Sequence, residues 1–190
     1  MALVDRVKNI LLAPIDEWPV IAGEAPTVQS LYTGYILILA AIGPIAMALR
    51  GGIFGMGLGV AIIAYVVGVG MTYLVAWVVD ALATTFGGEK NFVKSLQLVA
   101  YSYTAAWIAG ILHLLPFIGA LLALAAAIYS FYTFYLGVAV MKKCPHDKAA
   151  GYTIVVVLCG IVMGVLLFNV LVSVVIGGGS LGMMGARGLR

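Results

Sequence analysis

Charged residues are scarce in this chain of 190 residues. Ten Lys and Arg and seven Asp and Glu make up 9% of the sequence, whereas 64% of the residues are hydrophobic. Soluble domains are about half apolar and about a quarter charged. A soluble protein of this size could not bury so much apolar surface, so the composition predicts an integral membrane protein. The sequence also lacks a basic stripe with interleaved aromatic residues, and we therefore expect no nucleic-acid partner.

Histidine and cysteine are rare as well, which limits the chemistry. His113 and His146 lie at the ends of different apolar runs, on opposite predicted sides of the membrane, so they do not share a site. Cys144, His146 and Asp147 offer up to three metal ligands, but we favour the simpler interpretation, a polar turn before the last span. The sequence also lacks a phosphate-binding Gly-rich motif and a His-Glu-x-x-His motif. We therefore predict a non-enzymatic protein with no catalytic residues, no metal site and no cofactor.

Five hydrophobic runs are long enough to cross a bilayer, whose core is about 30 Å thick. The predicted fold class is all-α: a polytopic membrane protein with a five-transmembrane-helix bundle and a short amphipathic N-terminal helix. The transmembrane domain covers 31–176, and its spans lie at about 31–49, 53–79, 95–115, 118–141 and 152–176. Gly43-Pro44 predicts a kink in the first span. Residues 177–190 form a Gly-rich tail, which we expect to be flexible and external.

Residues 1–30 precede the first span and form a cytoplasmic or interfacial segment. An amphipathic helix is predicted near the start, ended by Pro14 and followed by Trp18 at headgroup level. Its apolar and polar faces are Leu3, Val4, Val7, Ile10 and Leu11 against Asp5, Arg6, Lys8 and Asn9. The segment is either a simple anchor or a docking site for a partner.

Lys and Arg residues orient the predicted spans, because cytoplasmic loops carry an excess of them. Seven lie on the side of the N-terminus: Arg6, Lys8, Lys90, Lys94, Lys142, Lys143 and Lys148. Three lie on the other side: Arg50, Arg187 and Arg190. We therefore expect a cytoplasmic N-terminus and an external C-terminus.

Small residues recur at four-residue spacing and predict faces on which helices approach closely. In the second span, the series Ala64, Gly68, Thr72 and Ala76 ends at Asp80. The predicted helix-packing residues are Gly51, Gly55, Gly59, Gly68, Gly160 and Gly164. Because one five-helix bundle hardly needs so many small-residue faces, we expect a homo-oligomer.

Asp80 begins the most polar stretch of the chain, which runs to Tyr103. Either Asp80 ends an overlong span and reaches the headgroups, or it is a buried carboxylate that could carry protons or bind a cation. In the second case, Lys94 would pair with it, or Tyr101 or Ser102 would form a hydrogen bond to it. Lys94, Gln97 and Tyr101 follow one side of the third span and are best placed to meet Asp80. The candidate functional polar cluster is Asp80, Lys94, Gln97, Tyr101 and Ser102.

Short motifs along nearly the whole chain resemble the Yip family of five-span, Rab/Ypt-interacting membrane proteins. The matching residues are Leu11–Pro14 with Trp18, Gly87–Phe92 followed by Tyr101, the Pro116 turn, Tyr135–Gly137, and Lys148-Ala149. The resemblance implies a cytoplasmic N-terminus and an external C-terminus, and in eukaryotes a role with Rab GTPases. The short segment before the first span argues against a Rab-type GTPase partner. The chain looks like a bacterial member, which would lie in the inner (plasma) membrane.

Two functions remain open. The first is a protein that organises membrane partners or lipid as an oligomer, with membrane lipids, further copies of itself and another membrane protein as expected partners. The alternative is a small channel or transporter that uses Asp80 and polar residues of spans 3 and 4.

Overall fold

The computed structural model describes residues 2–51, 56–115 and 117–187, and all regular structure within them is helical. This confirms the predicted all-α class. The chain divides into two compact units, 1–156 and 157–190. The candidate site described below lies within the first.

Five helical segments are long and apolar enough to cross a membrane, which confirms the predicted number of spans. In order, they are span 1 (Val28–Gly51), span 2 (Leu58–Phe86), span 3 (Phe92–Leu114), span 4 (Ile118–Lys142) and span 5 (His146–Leu167).

The helices that form these segments are numbered in chain order. The N-terminal pair is α1 (Leu3–Leu12) and α2 (Pro14–Gly23). Span 1 contains α3 (Val28–Leu31), a π-helix (Tyr32–Ile36), α4 (Leu37–Ala40) and α5 (Ile42–Gly51). Then come α6 (Met56–Leu82) with a 3₁₀ turn (Ala83–Phe86), α7 (Phe92–Ser102), α8 (Thr104–Ala109) with a 3₁₀ turn (Gly110–Leu114), α9 (Ile118–Lys142) and α10 (His146–Arg187).

The kink predicted at Gly43-Pro44 takes the form of a break at Ala41. Pro44 then lies in the first turn of α5, where the missing N–H costs nothing. Just after this break, span 1 packs closely against span 3. A Cβ added at Gly110 would lie only 2.7 Å from the Gly43 Cα. Glycine at 110 is therefore required by the close approach of two backbones.

The N-terminal helices α1 and α2 form a hairpin, here called the N-terminal hairpin (3–23), that packs against spans 3 and 4. Trp18 is 1% exposed, and its Nε1 donates to the Thr133 carbonyl at 3.0 Å. Near the tip, the Tyr129 hydroxyl donates to the Leu11 carbonyl at 2.8 Å. Tyr129 precedes Lys142 on α9 by about 20 Å of helix at 1.5 Å per residue. The hairpin therefore runs deep along span 4.

The faces predicted for the first helix do not match its burial. Arg6, assigned to the polar face, is 4% exposed, whereas Val4, assigned to the apolar face, is 73% exposed. The reason is tertiary, because the hairpin packs through the side that carries Arg6, Ile10 and Trp18. Trp18 is enclosed by protein, and its placement at headgroup level stays a prediction.

The predicted helix-packing glycines are not the positions at which the described helices approach most closely. A Cβ at Gly59, Gly68 or Gly164 would meet no heavy atom of the described residues within 4 Å. Gly51 is exposed, Gly160 is half-buried and Gly55 lies outside the described residues. The close contacts are instead at Gly88, Gly110, Gly119 and Gly137. Contacts between chains at the predicted glycines stay a prediction.

Lower on span 2, the small-residue series does form a packing face, because Thr72 and Ala76 are fully buried. The flexibility expected of the tail from residue 177 stays a prediction. The backbone of α10 is helical as far as Arg187, since the chain after Pro145 contains no proline to interrupt the hydrogen-bond ladder. Residues 188–190 lie outside the described residues.

Candidate functional site: a buried ion pair and a docked hairpin

The polar stretch after span 2 is organised by Lys142, the last residue of α9. Its side chain is 0% exposed. The Nζ atom donates to Asp80 Oδ1 at 3.0 Å, to Ser95 Oγ at 2.7 Å and to the Asn91 carbonyl at 3.2 Å. These bonds use all three ammonium protons. We call these four residues the Asp80–Lys142 junction.

Asp80 links two elements through the same junction. Its carboxylate accepts hydrogen bonds from the Asn91 N–H at 2.7 Å and from Ser95 Oγ at 3.0 Å. The Asn91 side chain in turn accepts from the Lys94 N–H at 3.1 Å and caps α7. The Asp80 side chain is 21% exposed. The end of span 2, the start of span 3 and the end of span 4 are therefore joined at one polar point.

The predicted pairing of Asp80 with Lys94 is wrong. The Lys94 Nζ donates to the carbonyls of Ala22 and Glu24, at 2.8 and 2.6 Å. Lys94 therefore holds the C-terminal end of the N-terminal hairpin. The residue that pairs with Asp80 is Lys142, which sequence reasoning had counted only as a topological charge. The available signal was that both residues end apolar runs on the same predicted side of the membrane.

The other predicted cluster residues also lie away from Asp80. The Gln97 Nε2 donates to the Ile21 carbonyl at 3.4 Å, so Gln97 faces the N-terminal hairpin. Tyr101 lies edge-on to Tyr35, with ring centroids 4.7 Å apart. Ser102 is buried, and its backbone carbonyl accepts from Thr133 Oγ1 at 3.3 Å. The structure thus divides the predicted cluster between two faces of span 3.

A second ionic group, not predicted from the sequence, fixes the N-terminal hairpin. The Arg6 guanidinium bonds to the carboxylates of Glu17 and Glu24. The Asn9 Nδ2 donates to Glu17 Oε2 at 3.1 Å, and the Arg6 Cζ lies 5.4 Å from the centre of the Tyr101 ring. Because Arg6 and Glu17 are both buried, each needs its partner. The sequence did contain a signal for this ionic group. Two short helices meet at Pro14, and they carry the opposite charges of Arg6 and Glu17.

The loops beside the Asp80–Lys142 junction are connected to each other. The Glu89 N–H donates to the Lys142 carbonyl at 2.8 Å, and a Cβ at Gly88 would lie 2.8 Å from the same oxygen. The rings of Phe86 and Tyr152 stack with centroids 4.9 Å apart. The loop after span 2 therefore packs against both the end of span 4 and the start of span 5.

Cys144 belongs to the same loop assembly. Its Sγ donates to the Phe86 carbonyl at 3.2 Å, and the residue is buried. Burial raises the pKa of the Cys144 thiol, and the Asp147 carboxylate raises that pKa further, against a smaller opposite effect of Lys148. The thiol is therefore a packed group rather than an activated nucleophile.

The charged groups of the junction and of the N-terminal hairpin neutralise one another. Asp80 pairs with Lys142, and Arg6 pairs with Glu17 and Glu24. Lys94 is bonded to two backbone carbonyls. Over the parts of the chain that the structure describes, no cluster of three or more His, Cys, Asp or Glu residues could hold a metal ion.

Comparison with known proteins agrees with this architecture. Residues 8–168 match the family model of the Yip1 domain. No curated protein matches the chain, and no solved structure matches it. The family match covers the N-terminal hairpin from within α1 and all five candidate spans. The chain therefore belongs to the Yip1 domain family and is a membrane protein with five helices apolar enough to span the bilayer.

Proposed function

We propose that this protein is a non-enzymatic multi-pass membrane protein that organises membrane partners or lipid as a homo-oligomer. The observation that carries the proposal is the use made of its few buried charges. Lys142 joins three elements, and Arg6 closes the N-terminal hairpin through two carboxylates. Buried charges that bind one another hold the helices in one arrangement, because either charge alone would be left without compensation.

Oligomerisation is supported by the open small-residue position on span 2. Gly68 lies about one turn before the buried Thr72 and two turns before the buried Ala76. A Cβ at Gly68 would nevertheless meet no described atom within 4 Å. Glycine in a lipid-facing helix lets a second helix approach closely. A second copy of this chain is the partner that we expect there.

The test is crosslinking of the native chain and of Gly68→Leu in native membranes. We expect dimers or higher species for the native chain and a loss of at least five-fold for Gly68→Leu. Gly70→Leu is the matched control, because its position is equally open but points about 200° away around the helix. Only monomers from the native chain, with no other protein recovered, would contradict the proposal.

The alternative function, a small channel or transporter, depends on Asp80 reaching a water-filled path. The cavity of about 530 Å³ in the first unit is lined by other residues, and Asp80 is held by Lys142, Ser95 and Asn91. In reconstituted vesicles we expect no proton or cation flux above that of protein-free vesicles. A flux that Asp80→Asn abolished would replace the organising role with transport.

We further propose that the protein lies in the inner (plasma) membrane with its N-terminus in the cytoplasm. The support is the excess of Lys and Arg on the side of the Asp80–Lys142 junction.

A further inference from the structure

A cavity of about 530 Å³ lies between the N-terminal hairpin and spans 1 and 3. Its lining combines the apolar Leu3, Pro26 and Leu31 with the polar Arg6, Glu24 and Tyr101. A cavity lined by both apolar and charged side chains fits an amphipathic ligand better than a small ion.

The charges around this cavity are balanced. Arg6 and Glu24 line it, Glu17 pairs with Arg6 behind it, and Lys94 contacts the Glu24 carbonyl. These four charges sum to zero, so the site favours a zwitterion over an anion. Only Oε1 of Glu24 is used by Arg6, and the Glu24 side chain is 37% exposed. The second carboxylate oxygen can therefore accept a hydrogen bond from a ligand.

Tyr101 supplies a second polar group. Its side chain is 6% exposed and packs against Arg6 and Tyr35. The Tyr35 hydroxyl is bonded to Thr104 Oγ1 at 2.6 Å. The Tyr101 hydroxyl forms no hydrogen bond within the described residues, although its side chain lines the cavity. A ligand that accepts or donates a hydrogen bond would satisfy it.

The backbone beside the cavity is also unusual. The π-helix Tyr32–Ile36 runs along it, and π-helical turns are frequent at functional sites. Gly34, within that turn, lines the cavity, and a Cβ there would meet no atom within 4 Å. Gly34 lies about 9 Å along span 1 from Val28, the first residue of that candidate span.

From this geometry we propose that the cavity binds the headgroup of a phospholipid with a primary ammonium, such as phosphatidylethanolamine. The ammonium binds Glu24, the phosphate lies towards Arg6 and Tyr101, and the acyl chains leave along Leu3 and Leu31. A primary ammonium donates hydrogen bonds to a carboxylate, whereas a choline group cannot. One face of the Tyr101 ring, which could otherwise hold choline, is covered by Arg6.

The test is native mass spectrometry of the full chain in detergent with added phosphatidylethanolamine, phosphatidylcholine or phosphatidylglycerol of matched acyl chains. We expect one phosphatidylethanolamine per chain, retained at least ten-fold better than the other two lipids. Gly34→Leu places a bulky side chain at the cavity lining and should reduce this retention at least ten-fold. Gly23→Leu is the matched control, because Gly23 is equally open but lies outside the cavity lining.

A second variant keeps the test decisive if Gly34→Leu does not fold. Glu24→Gln should bring the retention of phosphatidylethanolamine and phosphatidylcholine within two-fold of each other. Equal retention of the three lipids by the native chain, or full retention by Gly34→Leu, would overturn the proposal. Binding of soluble phosphoethanolamine without retention of any lipid would overturn the lipid assignment.

This inference goes beyond the organising role, because a monomer could bind the lipid. Failure of the lipid test would leave the crosslinking of the native chain unchanged, so the two proposals fail separately.

Discussion

A lysine side chain without solvent contact needs a counter-charge, and Lys142 has one in Asp80. Removing one member of a buried ion pair leaves the other charge without compensation, at a cost of about 3–5 kcal/mol. The neighbouring pair of Lys143 and Glu89 has the same chemistry in water, with side chains 70% and 65% exposed. We therefore expect the Lys142 ion pair to matter much more for stability than the Lys143 ion pair, because only Lys142 is buried.

The first prediction follows from this contrast. Lys142→Met should lower the free energy of unfolding by about 3 kcal/mol, the low end of that range because Asp80 keeps some solvent contact. The matched control, Lys143→Met, should change it by less than about 1 kcal/mol. The measurement is reversible unfolding in mixed micelles, followed by circular dichroism. Equal losses for the two variants would show that the Asp80–Lys142 junction does not stabilise the fold.

The second prediction concerns the raised pKa of the Cys144 thiol. Because the thiolate is the reactive form, a raised pKa leaves less of it at pH 7.5, and burial further restricts access. In a Cys159→Ser background, maleimide should react with Cys144 at least ten-fold more slowly than with a cysteine placed by Lys143→Cys in a chain without Cys144 and Cys159. The rate at Cys144 should still rise with pH above the ordinary thiol range. Similar rates at the two positions near pH 7.5 would contradict the buried placement.

At the scale of elements, the N-terminal hairpin shows how packing overrides an amphipathic pattern. The predicted faces of the first helix follow from a 3.6-residue period and assume that the polar side meets water. In the fold, Arg6 instead meets Glu17 of α2 and Glu24, and Trp18 meets span 4. The hairpin therefore behaves as part of the bundle, with its buried charge compensated internally.

Gly137 is the position that admits the hairpin, which gives the third prediction. A Cβ at Gly137 would lie 2.6 Å from the Trp18 ring and 2.6 Å from Leu98. Gly137→Ala should loosen residues 3–23 and destabilise the protein by about 1–3 kcal/mol. Gly164→Ala, at an open position, is the control. Hydrogen–deuterium exchange of α1 and α2 measures the effect, and unchanged protection in Gly137→Ala would disprove this docking.

At the scale of the whole molecule, membrane orientation depends on where the cations lie. Lys142, Lys94 and Arg6 are engaged with protein groups, yet they remain on the side that carries the Lys and Arg excess. The positive-inside rule counts residues near span ends and does not require them to be exposed. The predicted orientation is therefore unaffected by their burial.

The fourth prediction tests this orientation in a cysteine-free background. Phe117→Cys, at a site that is 92% exposed between spans 3 and 4, should react with an impermeant maleimide in intact cells. Asp5→Cys, on an exposed side of α1, should react only after the membrane is permeabilised. The reverse pattern would place the N-terminus outside.

The sequence by itself determined the all-α class and the five spans, because a helix must supply about 20 apolar residues to cross hydrocarbon and such runs are visible in one dimension. It also located the break near Gly43-Pro44, since proline acts on its own helix. Only the tertiary structure decided that Asp80 binds Lys142, that Lys94 holds the N-terminal hairpin, and that the close glycine contacts lie at Gly110 and Gly137. A helical period shows which residues share a face, but the neighbour that covers the face is set by long-range packing. Long-range packing therefore determined the partners of Arg6, Glu17 and Lys142.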